Sequence, residues 1–174
     1  MTDPLPLHEA TALPDHPPGA ILSTNCEYLG VLVTHDWRQL IAIRPIPAGT
    51  SIFTVEGREF ATPTRHSIQV DRDVHIDRDE SHDANESVRR YFWRFMDHAC
   101  DPAAIIRRRA VIARRHIAAG EAVTFNYNTT EFDLAEPFRC RCDSAMCVGL
   151  VRGARHLTPA QRDLIADWLA DYLR

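Results

Sequence analysis

Three of the five cysteines in the chain lie within eight residues, in the segment CRCDSAMC (140–147). This C-x-C-x4-C spacing places three thiolates close enough to occupy three corners of a tetrahedral zinc site. The alternative is a group of free thiols, but in an intracellular chain cysteines at such spacing indicate a metal site more often than packing. The segment therefore predicts zinc, and the rest of the chain has to supply a fourth ligand.

Cys100 is the candidate for that fourth ligand, because it lies in another polar, turn-like segment, FMDHACDP. A zinc ion shared by the two segments brings Asp97 and His98 close to residues 127–142, so that distant parts of the chain converge on one site. The predicted metal ligands are Cys100, Cys140, Cys142 and Cys147.

Composition and charge narrow the classes of function. Hydrophobic residues make up 45% of the 174 residues and charged residues 25%, which favours one domain with a sizeable core. The net charge of −4 disfavours a dedicated nucleic-acid-binding protein. The one basic segment, RRRAVIARR (107–115), is either a solvated sheet face or a patch for phosphate or an acidic partner. Cys26 is the odd cysteine, and we expect it to be buried rather than functional.

The sequence carries no membrane or secretion signal. No apolar run approaches the ~20 residues that a membrane span needs. The N-terminus lacks the basic region and apolar core of a signal peptide, so we expect a cytoplasmic protein without membrane contacts. Residues 1–19 contain five of the 11 prolines and no apolar periodicity, which predicts a flexible tail.

Short strands with turns between them are predicted for the middle of the chain. Runs of β-branched and apolar residues indicate the strands, whereas ANESVRRYFWRFM (84–96) lacks proline and glycine and has helical spacing. The predicted strands are 29–34, 40–46, 51–56, 66–70, 74–77, 105–107, 109–114 and 122–127.

The C-terminal segment gives the clearest helical signal. Thr158, Pro159 and Gln161 fit the N-cap, first and third positions of a helix. The apolar stripe that follows at helical spacing consists of Leu164, Ile165, Trp168, Leu169, Tyr172 and Leu173. This stripe predicts a helix docked on the body of the domain, with a partner-binding helix as the alternative.

Four segments, in chain order, resemble the SET-domain family of protein lysine methyltransferases. They are IRPIPAGTSIFTVEG (43–57), RFMDHACDPA (94–103), HIAAGEAVTFNY (116–127) and CRCDSAMC. The resemblance covers roughly residues 28–150, and the C-terminal helix is similar to that of short bacterial members. It implies a mainly β fold of small curved sheets, in which the 120–128 strand is threaded beneath the loop that precedes it.

The same resemblance divides the chain into four parts. Residues 1–19 are the tail, residues 20–136 a SET-like domain, residues 137–153 a post-SET zinc loop, and residues 154–174 the C-terminal helix packed on the domain. Three of the four predicted zinc ligands belong to the post-SET loop.

The resemblance implies methyl transfer from S-adenosylmethionine to a lysine side chain or a similar amine. Tyr127 is the implied active-site tyrosine, whose hydroxyl orients the attacking amine. Phe125 and Val55 are implied walls of the lysine channel, and a phenylalanine there allows higher methylation states. The implied partner is a protein or peptide bearing lysine, or a small amine. All 20 basic residues of this chain are arginine, so methylated lysine would mark another molecule.

The implied cofactor-binding residues are Trp37, Arg38, Asp97, His98, Phe138 and Arg141. The chain departs from the family pattern at several places: Trp37–Gln39 replaces G-x-G, Asp97 replaces asparagine, and Val55 replaces tyrosine. Ala99, Ala103 and Asn126 replace a serine, an asparagine and an aspartate of the pattern. These departures leave two alternatives open. One is a catalytically silent SET fold kept as an interaction scaffold, and the other is a SET fold repurposed for different small-molecule chemistry.

Overall fold

The computed structural model describes residues 16–174, so the predicted tail, residues 1–19, lies outside the described residues apart from its last four. The strands are β1 (Ile21–Ser23), β2 (Leu29–Val33), β3 (Arg38–Ala42), β4 (Ser51–Thr54), β5 (Arg58–Phe60), β6 (Ile68–Asp71), β7 (Val74–Asp77), β8 (Ala104–Arg107), β9 (Ala110–Ala113), β10 (Phe138–Arg139) and β11 (Leu150–Val151).

The strands pair into small antiparallel sheets. Three sheets have three strands each, in the orders β1-β2-β3, β4-β9-β8 and β5-β7-β6, and β10 pairs with β11 in a two-stranded sheet. The predicted mainly β fold is confirmed. Each predicted strand up to residue 114 overlaps an observed one, although the predicted 40–46 extends four residues beyond β3. The strands β1, β5, β10 and β11 are too short to give a sequence signal.

A hydrophobic core lies beneath the sheets. Buried and half-buried residues alternate in β8 and β9, as expected for strands with one face on a core. Trp93 is 1% exposed, and its indole N–H donates to the carbonyl of Glu56 at 3.0 Å, so the polar edge of the ring is satisfied inside the core. The neighbouring Gly57 lets β5 approach β7, because a Cβ there would lie 2.3 Å from the carbonyl oxygen of Asp77.

The predicted strand 122–127 is an extended segment held by isolated bridges rather than a regular strand. Its first half bonds to β3, where Val123 N donates to Leu40 O at 2.9 Å. Its second half bonds to the loop before β8, where Phe125 N donates to Asp97 O at 3.2 Å. Because the partner changes midway, no continuous ladder forms, and the segment is threaded beneath the loop as predicted.

The predicted helix 84–96 is correct only in its first half. Helix α1 spans Ala84–Arg90, and the side chain of Asp83 caps it by accepting from Glu86 N at 2.8 Å. A 3₁₀ helix, Phe92–Phe95, follows and carries two buried aromatic residues into the core. Among residues 16–174, no helix has the length and apolar character needed to cross a lipid bilayer.

The predicted C-terminal helix begins where expected and ends early. Helix α2 spans Pro159–Leu164, and Thr158 forms with Gln161 the capping box that the sequence predicts. Two short 3₁₀ helices follow, Ala166–Trp168 and Asp171–Leu173. Leu164, predicted to lie in the apolar stripe, is instead 59% exposed.

The break in this helix has a physical cause, because backbone groups beyond it bond to other parts of the domain. Ala170 N donates to Thr129 O at 2.8 Å, and Arg107 donates to Leu169 O at 2.9 Å. These bonds replace helical ones and let separate turns bury Ile165, Leu169 and Leu173. The C-terminal segment is thereby fastened to the turn that follows residue 126.

Candidate functional site

The threaded segment ends at Tyr127, which begins a 3₁₀ helix, Tyr127–Thr129, that we call the tyrosine turn. The Tyr127 hydroxyl donates to Met96 O at 2.7 Å, and its backbone N–H donates to His98 Nδ1 at 3.2 Å. The ring and the backbone of Tyr127 are therefore both fixed by the FMDHACDP loop. The convergence predicted between this loop and residues 127–142 is present in the structure.

His98 links the tyrosine to the cysteines. Its Nδ1 accepts a hydrogen bond, so in the neutral ring the proton lies on Nε2, which faces Cys100 Sγ at 3.2 Å. Burial lowers the pKa of His98 to about 4, so the ring is neutral at physiological pH. One imidazole thus bridges the Tyr127 backbone and a predicted metal ligand.

The His98 ring packs in a group of four rings with Tyr127, Phe138 and Phe125. His98 lies 5.3 Å from Tyr127 and 5.6 Å from Phe138, centroid to centroid, in edge-to-face geometry. Phe125, which is buried, lies 4.6 Å from Tyr127 with the two planes tilted by 35°. His98, Phe125, Tyr127 and Phe138 therefore form one cluster, which we call the aromatic cluster. Trp37, the other aromatic residue predicted for the cofactor pocket, does not belong to these ring pairs.

The Tyr127 hydroxyl is a neutral group in this environment. Burial, and then the negative charges of Asp97 and Glu131, raise its pKa well above the ordinary tyrosine value. Its proton is committed to Met96 O, so its oxygen presents lone pairs to any group that approaches. Tyr127 can accept a hydrogen bond from a substrate, but it is not suited to remove a proton as an ionised base.

The four predicted metal ligands meet in one place. The Sγ atoms of Cys100, Cys140, Cys142 and Cys147 all lie within 4.8 Å of one another, and the Cys100–Cys140 pair is 3.9 Å apart. Tetrahedral zinc with Zn–S bonds of about 2.3 Å requires sulfurs about 3.8 Å apart. The donor set and its spacing fit zinc, and we call this group the cysteine cluster.

The thiols of the cysteine cluster differ in acidity. Burial raises the pKa of Cys100 far above its ordinary value and that of Cys140 to about 11. For Cys142 burial acts in the same direction, but hydrogen bonds from backbone N–H groups, that of Ser144 foremost, prevail and lower the pKa to about 7. Since zinc binds thiolates, Cys142 is the group most ready to begin coordination. Cys26 lies outside the cluster, half-buried, with its thiol 3.6 Å from Ile52 O.

Asn126 fastens the tyrosine turn to the cysteine loop. Its side-chain amide donates to Cys100 O at 3.2 Å, and its Oδ1 accepts from Asn128 N at 3.1 Å. The residue is 2% exposed, so both bonds are made away from water. The sequence shows Asn126 only as a replacement for the aspartate of the family pattern, and gives no signal for this role.

Two of the departures from the family pattern contact each other. Gln39 Nε2 donates to Asp97 Oδ2 at 2.8 Å across 58 positions of sequence. Trp37 lies at the entry to β3 with its side chain half-exposed, and its backbone is fixed by Thr34, whose Oγ1 accepts from Trp37 N at 2.9 Å. This end of the pocket therefore carries a carboxylate, an amide and an indole where the family pattern has small or neutral groups.

The remaining predicted site residues, Val55, Arg38 and Arg141, do not belong to the aromatic cluster. Val55 has no accessible surface and belongs to the hydrophobic core, so its place in a channel wall stays a prediction. Arg38 is half-buried opposite Val33 at the end of the β2–β3 pair. Arg141 is exposed between two cysteines. For these three residues the cofactor or channel roles rest on the resemblance alone.

A sizeable cavity lies elsewhere in the molecule. It has a volume of about 540 Å³ and is lined by the segment around Cys26 and Tyr28, by β4 and by Phe92. None of the residues of the aromatic or cysteine clusters lines it. The chemistry-bearing groups are therefore gathered at a different place from this cavity.

Sequence reasoning did not single out Glu131. It is 3% exposed, and its backbone N–H donates to Tyr127 O at 2.9 Å. A carboxylate four positions after a tyrosine is an ordinary sequence feature, and only the tertiary structure shows that this one is buried.

Comparison with known proteins agrees with this arrangement. A family model described as "SET domain" matches residues 37–128, just over half of the chain. Among curated proteins, the methyltransferase flvH of Aspergillus flavus is 30% identical over 86 residues, covering 41% of this chain and 48% of flvH. A histone-lysine N-methyltransferase, H3 lysine-36 specific, of Emericella nidulans is 35% identical over 68 residues, covering 34% of this chain and 7% of that protein.

The fold has counterparts among solved structures. The crystal structure of KRYPTONITE in complex with mCHH DNA, H3(1-15) peptide and SAH superimposes with a TM-score of 0.53 at 20% sequence identity. The superposition covers 70% of this chain and 29% of the KRYPTONITE chain. The present chain thus spans about half of flvH and a smaller part of the larger proteins that it matches.

Proposed function

The chain belongs to the SET-domain family, and from that premise we propose that it is an S-adenosylmethionine-dependent methyltransferase that acts on a lysine side chain. The two curated relatives named above are described as methyltransferases, one of them as histone-lysine specific, and the KRYPTONITE structure holds an H3(1-15) peptide and SAH. The observation that carries the proposal is the position of Tyr127, whose hydroxyl proton is bound to Met96 O while its ring packs in the aromatic cluster.

The pocket fits the chemical groups of the cofactor. Aromatic faces of His98 and Phe138 suit a flat adenine or a sulfonium cation, and the carboxylate of Asp97 suits an ammonium group. When bound, S-adenosylmethionine supplies an electrophilic methyl group: the amine nitrogen forms the new N–C bond with its lone pair, and the sulfur keeps the electrons of the broken S–C bond.

The residues of this chain hold and orient the amine. The lone pairs of the Tyr127 oxygen accept an N–H of the substrate, which points the nitrogen lone pair away from the ring. The amine must reach the site neutral, and the apolar wall formed by Phe125 lowers its pKa by excluding water. Because Tyr127 keeps its own proton, the proton of the amine goes to solvent. Phe125 offers no hydroxyl that would hold a methylated amine back, so we assign more than one methylation state to the product.

The cysteine cluster has a structural role in this proposal. Zinc held by its four thiolates orders the loop that carries Phe138, which lies two residues before Cys140. Cys100 connects that loop to His98, so metal binding assembles one wall of the pocket.

The test combines binding with transfer. Titration calorimetry with S-adenosylmethionine on the zinc-loaded protein should show binding that chelation removes, and labelled methyl groups should appear on lysine-containing peptides. Because the chain contains no lysine, label on lysine cannot come from the protein itself. Absence of cofactor binding by the zinc-loaded protein would refute the proposal.

Substitution of Tyr127 separates chemistry from binding. Tyr127→Phe removes one oxygen atom, and we expect transfer to fall at least about 100-fold while the dissociation constant for the cofactor changes less than about twofold. Tyr28→Phe is the matched control, because Tyr28 lies outside the aromatic cluster and its hydroxyl has no role in the proposal. Equal turnover in Tyr127→Phe and Tyr28→Phe would remove Tyr127 from the mechanism.

A second function has one observation in its favour. Gln39 places a side chain, bonded to Asp97, where the family pattern has glycine. A pocket filled in this way suits a silent SET fold that serves as an interaction scaffold, and the half-exposed Trp37 suits a pocket that stacks on another small molecule. A zinc-loaded, folded protein that binds no S-adenosylmethionine would favour these alternatives.

A further inference from the structure

A buried carboxyl lies where several distant segments of the chain meet. Glu131 follows the tyrosine turn, and its Oε1 accepts from Gln69 N in β6 at 2.7 Å. The backbone around it is bonded to the C-terminal region: Ala154 N donates to Glu131 O at 2.7 Å, and Ala170 N donates to Thr129 O at 2.8 Å. Glu131 is thus a junction between β6, the tyrosine turn and the C-terminal segment.

The surroundings of this carboxyl favour its neutral form. In the part of the chain that the structure describes, the one basic nitrogen within 4.0 Å is His75 Nδ1, which lies 3.8 Å from Glu131 Oε2. The hydroxyl of Tyr172 points away from the carboxyl, because it donates to Gln69 O at 2.7 Å and lies 3.0 Å from Thr130 O. A negative charge here would be compensated by the backbone N–H of Gln69 and by a long hydrogen bond from Thr130 Oγ1 at 3.5 Å.

The nitrogen that faces the carboxyl has no hydrogen-bond partner. His75 Nδ1 is buried and unsatisfied, although His75 is 5% exposed and lies in β7, inside the sheet that β6 closes. A proton on Glu131 Oε2 would point at this nitrogen and, with a small approach, satisfy it. One proton then removes both a buried charge and a buried orphan acceptor.

The junction acts directly on the active-site tyrosine. Glu131 N and Thr130 N both donate to Tyr127 O, at 2.9 and 3.2 Å, which closes the turn that sets the direction of the Tyr127 ring. Gly153 N donates to the side chain of Asn128 at 3.0 Å and braces the same turn from the other side. A charge that loosened Glu131 would therefore loosen the residue on which the proposed transfer depends.

We propose that Glu131 is a positioning residue for Tyr127: a proton shared between Glu131 and His75 locks the tyrosine turn, and loss of this proton loosens it. This inference deepens the proposed function and rests on it for its consequence in catalysis. The lock itself is a property of the folded chain, and it can be measured without substrate or cofactor.

The electrostatics agree with this geometry. Burial raises the pKa of Glu131 from 4.5 to about 7, and burial also lowers the pKa of His75, so both groups favour their neutral forms. The other titratable groups nearby are Tyr172 and Tyr127, whose pKa values burial raises, together with Asp71 and Asp73 on the β6–β7 side. None of these supplies a positive charge that would stabilise an ionised Glu131.

The direction of the pH effect follows from linkage. A folded-state pKa above the unfolded value means that the closed turn binds the proton more tightly than the open turn. The stabilisation is complete below pH 4.5, declines as the pH rises toward 7, and is lost above it. For pKa values of 4.5 and about 7, opening of the turn becomes about tenfold more favourable between pH 6 and pH 8.

Hydrogen exchange of the amides of residues 127–132 tests the lock. After correction for intrinsic exchange rates, protection in the wild-type protein should fall about tenfold from pH 6 to pH 8. Glu131→Gln carries the same hydrogen-bonding groups as the neutral acid and cannot ionise, so its protection should stay constant. His75 is present in both proteins, so its own titration cancels. Superimposable pH profiles of the two proteins would overturn the proposal.

Two further variants separate the lock from a general structural role. Tyr172→Phe removes a bond that carries no charge, and we expect lower protection at every pH with the tenfold pH difference unchanged. Glu80→Gln, at an exposed acid, is the matched control and should reproduce the wild-type profile. A pH difference that vanished in Tyr172→Phe, with Glu131 intact, would also count against the proposal.

The catalytic consequence has its own readout. Where methyl transfer is detected, its rate should fall on the alkaline side in the wild-type protein and keep rising in Glu131→Gln, because the amine substrate continues to lose its proton. If the protein transfers no methyl group, the proposed function fails, yet the hydrogen-exchange comparison still decides whether Glu131 locks the turn.

Discussion

On one side of Tyr127, His98 and Cys100 occupy the places that the SET pattern gives them. His98 Nδ1 accepts from the Tyr127 backbone N–H, and Cys100 O accepts from the side chain of Asn126. On the other side, Gln39 and Asp97 replace a glycine and an asparagine and bond to each other at 2.8 Å. The first side is anchored by backbone groups and a metal-binding cluster. The second is joined by a hydrogen bond between two side chains, of which Asp97 also has other interactions.

This difference teaches where the pocket tolerates change. A side chain that bonds to backbone and to a metal ligand has several partners, and removing it leaves several groups unsatisfied. Two side chains that share a hydrogen bond can be exchanged together, because part of the stabilisation that each provides depends on the other. We therefore expect the departures at Gln39 and Asp97 to be one coupled change rather than two independent losses.

Loss of a metal ligand should have the largest effect on stability. A small effect would contradict the difference between the two sides of Tyr127. Cys100 is fully buried and contacts both His98 and Cys140, so Cys100→Ser should remove bound zinc and cost about 3–5 kcal/mol of unfolding free energy. Metal content per chain and urea unfolding measure this. Cys26→Ser is the matched control, and it should keep its metal and lose less than about 1 kcal/mol.

Equal metal content in Cys100→Ser and Cys26→Ser would show that the four thiols do not form one site. The same result would leave the orientation of His98 to the Tyr127 backbone N–H and to its ring contacts. The anchored side of the pocket would then be no more robust than the other side.

The coupling of Gln39 and Asp97 should give an intermediate effect. Gln39→Ala and Asp97→Ala should each cost about 1–2 kcal/mol, because each removes a charge-assisted hydrogen bond. The destabilisation of the double variant should be smaller than the sum of the two single-variant values by about 1 kcal/mol, as measured by urea unfolding in a double-mutant cycle. Asp97 has further interactions, and the cycle isolates the part that it shares with Gln39. Additive costs would show that the two departures are independent.

Substitution of Trp37 should have the smallest effect on stability, and it tests the second side of the pocket through cofactor binding. Its side chain is half-exposed, so Trp37→Ala should change the unfolding free energy by less than about 0.5 kcal/mol. If the indole stacks on the bound cofactor, calorimetry should show binding about fivefold weaker, which corresponds to about 1 kcal/mol. Leu164→Ala is the control at another exposed apolar residue, and it should leave binding unchanged. Unaltered binding in Trp37→Ala would exclude a stacking role.

The parts of the fold that the sequence predicts are those that depend on residues close together in the chain. The cysteine pattern predicts the cluster because a short loop by itself fixes three of its thiols, and Thr158 predicts the start of α2 because its capping bond reaches only three residues. The end of α2 is missed, since Arg107 and Thr129 provide the competing bonds from distant parts of the chain. The threaded segment before Tyr127 has strand-like residues, but its partners change midway.

The parts of the site that the sequence does not predict depend on tertiary neighbours. Gln39 and Asp97 appear as two losses when they are read separately, and their hydrogen bond becomes visible only when positions 58 apart are brought together. Glutamate is a residue type that is usually exposed, and the burial of Glu131 follows from the packing of Tyr172 and β6 around it. The roles of the individual site residues in transfer stay predictions until the variants above are measured.

The strand β6 lies at the edge of its sheet, and two side chains complete that edge. Gln69 N donates to the carboxyl of Glu131, and Gln69 O accepts from the hydroxyl of Tyr172, so neither backbone group is left to pair with an added strand. Exposed edges of this kind recruit other chains and lead to aggregation. The residues that brace the tyrosine turn therefore also guard the sheet against intermolecular pairing, and a variant that frees Gln69 would expose the molecule to self-association as well as to a loosened site.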